Sequence, residues 1–294
     1  METFSHADAG TSEADWAASG LPAAPVLALD AAGPDTVRLV VLAAHPDDET
    51  LGAGGLVASL LAAGAEVDVI LCTAGEGSHP ASPTHSPEQL ASIRLEEFAA
   101  ALAALGLGPE HWHFLALPDR GLGGHAAAIT DAIRKAIRRL PVPPGRVVLV
   151  APYRADGHAD HDALGAVASE IARQGGHGLL EYPIWYWHWA RPANPDWQDW
   201  VRYPLDPAAR ATKARAMAAH ATQIRPLSPA NGDEVLLGEG FLQHFSRGYE
   251  MFAWTPPGPC GQDAHSSADA ERIFDRVHGR DDDPWNYTSS WYER

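Results

Sequence analysis

Short apolar runs alternate with helical patterns through most of this 294-residue chain, and this alternation limits the fold more than any other feature. Val37 to Ala43 and Val67 to Cys72 are predicted to be buried strands, and a helical pattern follows each of them. Because two parallel strands need a crossover between them, such alternation is typical of a mostly parallel sheet with helices on both faces. The sequence therefore predicts an α/β fold.

The remaining predicted elements continue this alternation. They are helices over 51–63, 88–105, 126–139, 163–173 and 207–221, and strands over 112–115, 147–150 and 179–189, the last of these rich in aromatic residues. A loop of histidine, proline and serine residues, Ser78 to Pro87, precedes the second helix and is a candidate lid.

Composition and charge limit the domain organisation and the partners. A hydrophobic fraction of 46% is enough for one large domain, which we assign to 36–255. Residues 1–35 are expected to be disordered, and 256–294 to form a linker and an acidic tail. The net charge of −17 argues against a nucleic-acid partner, which requires a basic surface.

No segment suggests export or a membrane span. The amino terminus has neither a basic flank nor a continuous apolar core, so we expect no integral membrane segment. The two cysteines, Cys72 and Cys260, form no disulfide framework or thiolate metal site. A reducing, cytoplasmic location is expected.

Two separated motifs supply a predicted metal site. His45 and Asp48 lie three residues apart on the turn after the first strand, and His161 lies in a second motif that follows the strand over 147–150. Two imidazoles and one carboxylate, with one position left open, are typical of a catalytic zinc site. One zinc ion per chain is therefore predicted, and Asp47 remains free to act on the metal-bound water.

The run from Ala44 to Glu49, followed by the glycine-rich segment 51–55 and the later His158-Ala159-Asp160-His161, resembles the PIG-L/LmbE-like family of zinc-dependent N-deacetylases. The region of resemblance extends from about residue 36 to about residue 252. The resemblance implies a Rossmann-like fold and hydrolysis of an N-acetyl group, with a glucosamine-containing small molecule or glycoconjugate as substrate.

The resemblance also implies roles for individual residues. Asp47 would be the general base, and His158 would face the acyl oxygen and stabilise the oxyanion as a protonated imidazole oriented by Asp160. Arg94 would point toward substrate hydroxyl or phosphate groups. A tyrosine that some members place two residues before this histidine is Asp156 here, and Tyr153 is the candidate to replace it in contacting substrate.

Each assignment has a structural alternative. The first motif could be a helix N-cap, Arg94 could form a surface ion pair with Glu97, and the glycine cluster could suggest a nucleotide loop, although it lacks the required spacing. Trp185, Trp187 and Trp189 would alternate on one strand face, where Trp187 could stack on a sugar or pack in the core.

The function that we predict from these patterns is zinc-dependent removal of an acetyl group from an N-acetylglucosamine-type substrate. Two alternatives remain, an amidase for larger acyl or thiol-conjugate amides and a catalytically silent sugar-binding module. The segment over 281–294 resembles the start of a nodulation-type methyltransferase that uses S-adenosylmethionine, which predicts a fused methyltransferase domain beyond residue 294. The alternative is an ordinary acidic tail.

Overall fold

The computed structural model describes residues 8–27, 29, 37–139 and 142–259. Within these ranges, seven strands form one sheet in the order β3-β2-β1-β4-β5-β7-β6. The strands are β1 (Arg38–Ala43), β2 (Glu66–Leu71), β3 (Trp112–Phe114), β4 (Val147–Pro152), β5 (Gly178–Tyr182), β6 (Val201–Pro204) and β7 (Tyr249–Thr255). The first five are parallel, so the predicted α/β fold is confirmed.

The far edge of the sheet differs from the sequence prediction. β7 pairs antiparallel with both β5 and β6, and neither β6 nor β7 was predicted. The register pairs Leu180 with Trp254 and Arg202 with Met251. β6 was missed because a four-residue edge strand carries too little periodic signal.

Helices cover both faces of the sheet, as the alternation predicts. The α-helices are α1 (Glu13–Ala17), α2 (Asp48–Ala62), α3 (Pro87–Leu105), α4 (Ala126–Arg139), α5 (Ala159–Gly175), α6 (Tyr186–Trp189), α7 (Pro207–Met217), α8 (Ala221–Ile224) and α9 (Glu239–Leu242). Short 3-10 helices lie at Leu21–Ala23, Pro109–His111, Leu122–Gly124, Pro144–Arg146, Asp196–Asp199 and Gln243–Phe245. Both α2 and α5 begin earlier than predicted, so Asp48 and His161 lie in their first turns.

Successive residues of β1 face two different cores. Leu39 and Val41 belong to a large cluster with residues of α2 and α3, whereas Val40 and Leu42 pack with α4 and α5. Side chains alternate between the faces of a strand, so a central strand that is covered on both sides must be apolar throughout. This requirement explains why β1 gave a continuous apolar run.

The glycine cluster in α2 allows close packing. A Cβ atom on Gly52 would lie 2.2 Å from the Tyr182 ring, and one on Gly55 would lie 2.5 Å from Leu205. The Gly55 amide also donates to Glu250 at 2.7 Å. These contacts explain the glycines as packing residues, and no nucleotide loop is needed to account for them.

The aromatic segment is not one long strand. β5 ends at Tyr182, and Pro183 separates it from the single turn of α6. The backbone amides of Ile184 and Tyr186 donate to Asp156, so they are not available to a sheet partner. The predicted strand over 179–189 is therefore correct as far as Tyr182 and wrong beyond it, where the tryptophans do not alternate on one strand face.

The predicted disorder of the amino-terminal segment is wrong for residues 8–27. This segment contains α1, and Trp16 is fully buried in the larger core. Ser12 caps α1 by accepting from the Asp15 amide, and Leu27 is also buried. Several long-range contacts, among them the burial of Trp16, order a segment whose average composition resembles that of a disordered chain.

Two further findings concern the rest of the chain. Of the helices that the structure describes, none combines the length and apolar character needed to cross a bilayer. The acidic tail, including the segment that resembles a methyltransferase, lies outside the described residues from 260 onward.

Candidate metal centre and active site

The two sequence motifs meet at the carboxyl edge of the sheet. His45 follows β1, and His161 lies in the first turn of α5, after the neighbouring strand β4. Parallel neighbouring strands end at the same edge, so residues 116 positions apart come into contact there. The Asp48 carboxylate accepts a hydrogen bond from the His45 backbone amide at 2.8 Å, and this bond fixes the turn between the two residues.

The donor atoms of the three predicted ligands lie close to one another. His45 Nδ1 is 3.3 Å from His161 Nε2, and Asp48 offers Oδ1 at 3.2 Å from His161 Nε2 and Oδ2 at 3.5 Å from His45 Nδ1. Tetrahedral zinc bonded at 2.0–2.2 Å would hold its ligand atoms about 3.3–3.6 Å apart. The predicted ligands therefore lie together at a spacing that fits zinc.

The charges at this position also favour a cation. Burial raises the pKa of Asp48, but His161 and His45 outweigh burial and hold this pKa well below its usual range. Burial would lower the pKa of His161, yet Asp48 and Asp156 raise it to about 10. The buried carboxylates thus hold positive charge on the imidazoles, and a divalent ion would supply that charge directly.

His45 faces carboxylates on its other side. Its Nε2 lies 3.1 Å from Asp119 Oδ1 and 3.3 Å from Asp160 Oδ2. A carboxylate on the second nitrogen of a ligand imidazole fixes the ring and its tautomer. Asp119 was missed by the sequence analysis, although it follows β3 at the same edge of the sheet.

Asp156 has the corresponding position behind His161. Its carboxylate is fully buried, and its Oδ2 lies 2.7 Å from His161 Nδ1. This contact leaves Nε2 facing Asp48 and His45. The sequence analysis treated Asp156 only as a departure from a family pattern. An acid five residues before a predicted ligand, next to a buried strand, was the available signal.

Asp47 is held in an unusual conformation beside these ligands. Its φ of 129° lies in a region that L-residues rarely adopt, which costs about 1–3 kcal/mol and is typical of functional sites. Burial raises the pKa of Asp47 to about 7, although Arg94 opposes this shift. Asp47 precedes α2 without capping it, so the alternative of a helix N-cap is not observed for this side chain.

Arg94 supports Asp47 from behind. Its guanidinium donates to Asp47 Oδ2 at 3.0 Å and to the carbonyls of Pro46 and Gly75 at 2.7 Å each. The side chain is buried, so the alternative of a surface pair with Glu97 is not observed, whereas the predicted substrate contact stays a prediction. Helical periodicity does not reveal such contacts, because all three partners are distant in sequence.

His158 and Asp160 are not paired through their side chains as predicted. The Asp160 carboxylate accepts from the amides of Arg120 at 2.7 Å and Leu122 at 3.0 Å and also faces His45. His158 caps α5, and its Nδ1 accepts from the Asp160 amide at 3.3 Å. The predicted orientation of His158 by the Asp160 carboxylate is therefore wrong.

His158 nevertheless lies beside the predicted ligands. Its ring centroid is 4.8 Å from the centroids of both His45 and His161. Burial and these two neighbours lower the pKa of His158 to about 3, so the imidazole is neutral instead of protonated. Because Nδ1 accepts a hydrogen bond, the proton of the neutral ring lies on Nε2, which can donate.

The two predicted aromatic substrate contacts lie in an aromatic cluster. Trp187 is only 3% exposed and packs on Trp16 and Trp200, with centroids 5.0 and 5.8 Å apart. Tyr153 is half-buried against Trp200. Trp189 is closer to the site, since its indole N–H donates to the Asp156 carbonyl at 2.7 Å. This placement favours the packing alternative for Trp187.

The predicted lid is tied to a neighbouring loop. Thr84 and Ser82 both donate to the buried Asp233, the first at 2.6 Å, and His79 Nε2 lies 3.0 Å from the Glu234 carbonyl oxygen. Ser228 binds the same carboxylate. The loop over 78–87 therefore has a defined position in this structure.

Comparisons with known proteins agree with this geometry. The family model for "PIG-L: GlcNAc-PI de-N-acetylase" matches residues 40–172. The 1D-myo-inositol 2-acetamido-2-deoxy-alpha-D-glucopyranoside deacetylase of Mycobacterium sp. (strain KMS) is 28% identical over 280 residues, covering 77% of this chain and 86% of that protein. The corresponding enzyme of Mycolicibacterium gilvum (strain PYR-GCK) is 35% identical over 176 residues, covering 52% and 59%.

A solved structure gives the same fold. The N,N'-diacetylchitobiose deacetylase from Pyrococcus horikoshii superimposes with a TM-score of 0.54 at 21% identity, covering 74% of this chain and 84% of that one. The structure therefore combines an α/β fold with two largely buried groups that could hold a metal ion, His45 with His158 and His161, and His45 with Asp119 and Asp160. The chain is thus similar to PIG-L/LmbE-like N-deacetylases over residues 40–172 and to acetamido-sugar deacetylases over a longer stretch.

Proposed function

We propose that this protein is a zinc-dependent N-deacetylase that acts on an amino sugar or glycoconjugate of the N-acetylglucosamine type. One observation carries the proposal, namely that His45, Asp48 and His161 bring donor atoms within 3.5 Å of one another, with the buried Asp47 beside them. The names of the relatives support the substrate class, because they describe deacetylases of acetamido sugars. We assign the reaction to a catalytic domain over 36–255.

Zinc, when bound by these three residues, lowers the pKa of a coordinated water and polarises the carbonyl of the substrate. Two imidazoles and one carboxylate are a donor set that catalytic zinc uses. The carboxylates behind both imidazoles, Asp119 and Asp156, fit the same purpose, because they orient each ring toward the ion.

Asp47 is the proposed acid and base. Its carboxylate takes a proton from the attacking water as the new carbon–oxygen bond forms, and returns it to the nitrogen as the carbon–nitrogen bond breaks. The products are acetate and a free amine. A pKa of about 7 suits both transfers, because a group that must accept and donate works best near the ambient pH.

His158 is proposed to stabilise the tetrahedral intermediate. A neutral imidazole with its proton on Nε2 can donate a hydrogen bond to the developing oxyanion. His158 thus keeps the role that the sequence analysis gave it, stabilisation of the oxyanion, but acts as a neutral imidazole and not as a protonated one. Asp160 orients His45 in this scheme, because its carboxylate faces His45 and not the His158 ring.

The test is an acetate-release assay combined with metal analysis. N-acetylglucosamine, its oligomers, and its inositol, lipid and nucleotide conjugates are offered to the full chain, with longer N-acyl analogues as controls. We expect about one zinc per chain, acetate release from at least one acetamido sugar, and loss of activity with chelator. Full activity without a transition metal, or cleavage of long acyl amides alone, would contradict the proposal.

A further inference from the structure

The single turn of α6 is bonded to the metal centre at its amino end. The amides of Ile184, Trp185 and Tyr186 donate to the Asp156 carboxylate at 2.8, 3.0 and 3.0 Å. Asp156 Oδ2 also lies 2.7 Å from His161 Nδ1. The carboxylate that orients a predicted zinc ligand is therefore itself held by the position of α6.

The carboxyl end of α6 is bonded to the amino-terminal segment, residues 8–27. The Trp16 indole N–H donates to the Trp187 carbonyl at 2.9 Å, and the Thr11 amide donates to the His188 carbonyl at 2.8 Å. The Thr11 hydroxyl donates to the Ala190 carbonyl at 2.6 Å. The last carbonyls of a helix have no hydrogen-bond donor within the helix. The amino-terminal segment therefore supplies the donors for these carbonyls of α6.

Other contacts fix the amino-terminal segment in place. Glu13 forms an ion pair with Arg247 at 2.6 Å, its carboxylate lies 2.7 Å from His244 Nδ1, and the Trp16 ring is fully buried. A one-turn helix has little stability of its own, because nucleation costs more than a single turn returns. The position of α6 thus depends on the contacts at both of its ends.

We propose that the amino-terminal segment is a positioning element of the metal centre, acting through α6 and Asp156 on His161. Thr11 and Trp16 are positioning residues, since neither touches the ligand atoms. The family match begins at residue 40, so this element lies outside the matched region. The inference rests on the proposed zinc site, and it adds that the geometry of this site depends on the amino-terminal segment.

The experiment measures zinc affinity of the full chain by competition with a chromophoric chelator. Trp16→Phe removes the indole N–H and keeps most of the packing. The matched control is Trp197→Phe, because Trp197 belongs to the same cluster and donates its N–H to the Pro192 carbonyl, outside α6. Thr11→Val and Thr11→Ser form a second pair, in which only serine keeps the hydroxyl.

Asp156→Asn should weaken zinc binding about 10-fold to 100-fold, the usual range for the partner of a ligand imidazole. We expect Trp16→Phe and Thr11→Val to fall near the lower end of this range, about 10-fold, with Thr11→Ser and Trp197→Phe close to wild type. Cobalt-loaded Trp16→Phe should show a shifted visible spectrum, because the ligand geometry changes, and cobalt-loaded Trp197→Phe should not.

Each outcome decides between hypotheses. Failure of the wild-type chain to bind zinc would overturn the proposed function. Zinc binding that responds to Asp156→Asn alone would overturn the inference and leave the proposed function intact. Equal weakening by Trp16→Phe and Trp197→Phe, with equal loss of thermal stability, would mean that the segment acts only on the fold.

Discussion

The turns after β1 and after β5 lie at the same edge of the sheet and use opposite chemistry. The turn after β1 presents the carboxylates of Asp47 and Asp48 to the site, with Arg94 behind the first. The turn after β5 presents backbone amides to the single carboxylate of Asp156. The first turn carries the proposed reacting groups, and the second holds Asp156, which faces His161, so substitutions in the two turns should affect different measurements.

The largest effect is expected at Trp187, in the turn after β5. Trp187→Ala should lower the free energy of unfolding by about 3–5 kcal/mol, the usual cost of truncating a buried tryptophan. Denaturant unfolding measures this loss, and KM for the folded enzyme should stay close to wild type. Trp189→Ala is the control, since Trp189 is partly exposed and closer to the site. A raised KM with unchanged stability for Trp187→Ala would restore its role as a substrate contact.

Asp47→Asn tests the turn after β1. It should lower kcat by about 100-fold or more, because the proton carrier is lost, while the zinc content stays at wild-type level. Metal analysis and steady-state kinetics on one preparation measure both quantities. Loss of zinc together with near-normal turnover after reconstitution would show that Asp47 is a ligand and that the assigned roles must be exchanged.

Arg94→Gln should move the pH profile. Arg94 opposes the burial that raises the pKa of Asp47, so removing its charge should raise this pKa above about 7. The acidic limb of kcat/KM should then move to higher pH by about one unit, which lowers the rate below pH 7 about 10-fold. Arg94→Lys keeps the charge and is the control. An unmoved limb in Arg94→Gln would show that another group sets it.

The smallest effect is expected at Glu13, which supports the turn after β5 from a distance. Burial would raise the pKa of Glu13, but its bonds to His244 and Arg247 outweigh burial and lower it. The carboxylate therefore stabilises the fold above its unfolded pKa of about 4.5, and this contribution is lost as pH falls through the folded value. Glu13→Gln should cost about 1 kcal/mol at pH 7. A difference from wild type that grows at acid pH would contradict this assignment.

The turn after β1 could be predicted because its information is local. A continuous apolar strand, a short polar turn and a helix follow one another within 25 residues, and the predicted ligands His45 and Asp48 lie in that stretch. The contact of His45 with His161 could be predicted as well, because neighbouring parallel strands end at the same edge of the sheet. The fold class was predicted correctly for the same reason, since each unit of strand and helix repeats a pattern that is visible in sequence.

The turn after β5 could not be predicted, because its partners are distant. Asp156 binds amides 28 to 30 residues away, and Trp16 binds a carbonyl 171 residues away. A run of alternating tryptophans favours a strand locally, and Pro183 together with the capture of the following amides by Asp156 stops it. Arg94 and Asp119 were misjudged or missed for the same reason, since their partners come from other strand ends.

The backbone of Asp47 has a consequence for sequence drift. A φ of 129° is accessible to glycine at little cost, so Asp47→Gly would remove the strain and the buried carboxylate together. The expected product is a chain that folds more stably and has lost its proton carrier. Selection for stability alone would therefore remove aspartate from this position, and its persistence in a lineage would itself indicate selection for turnover.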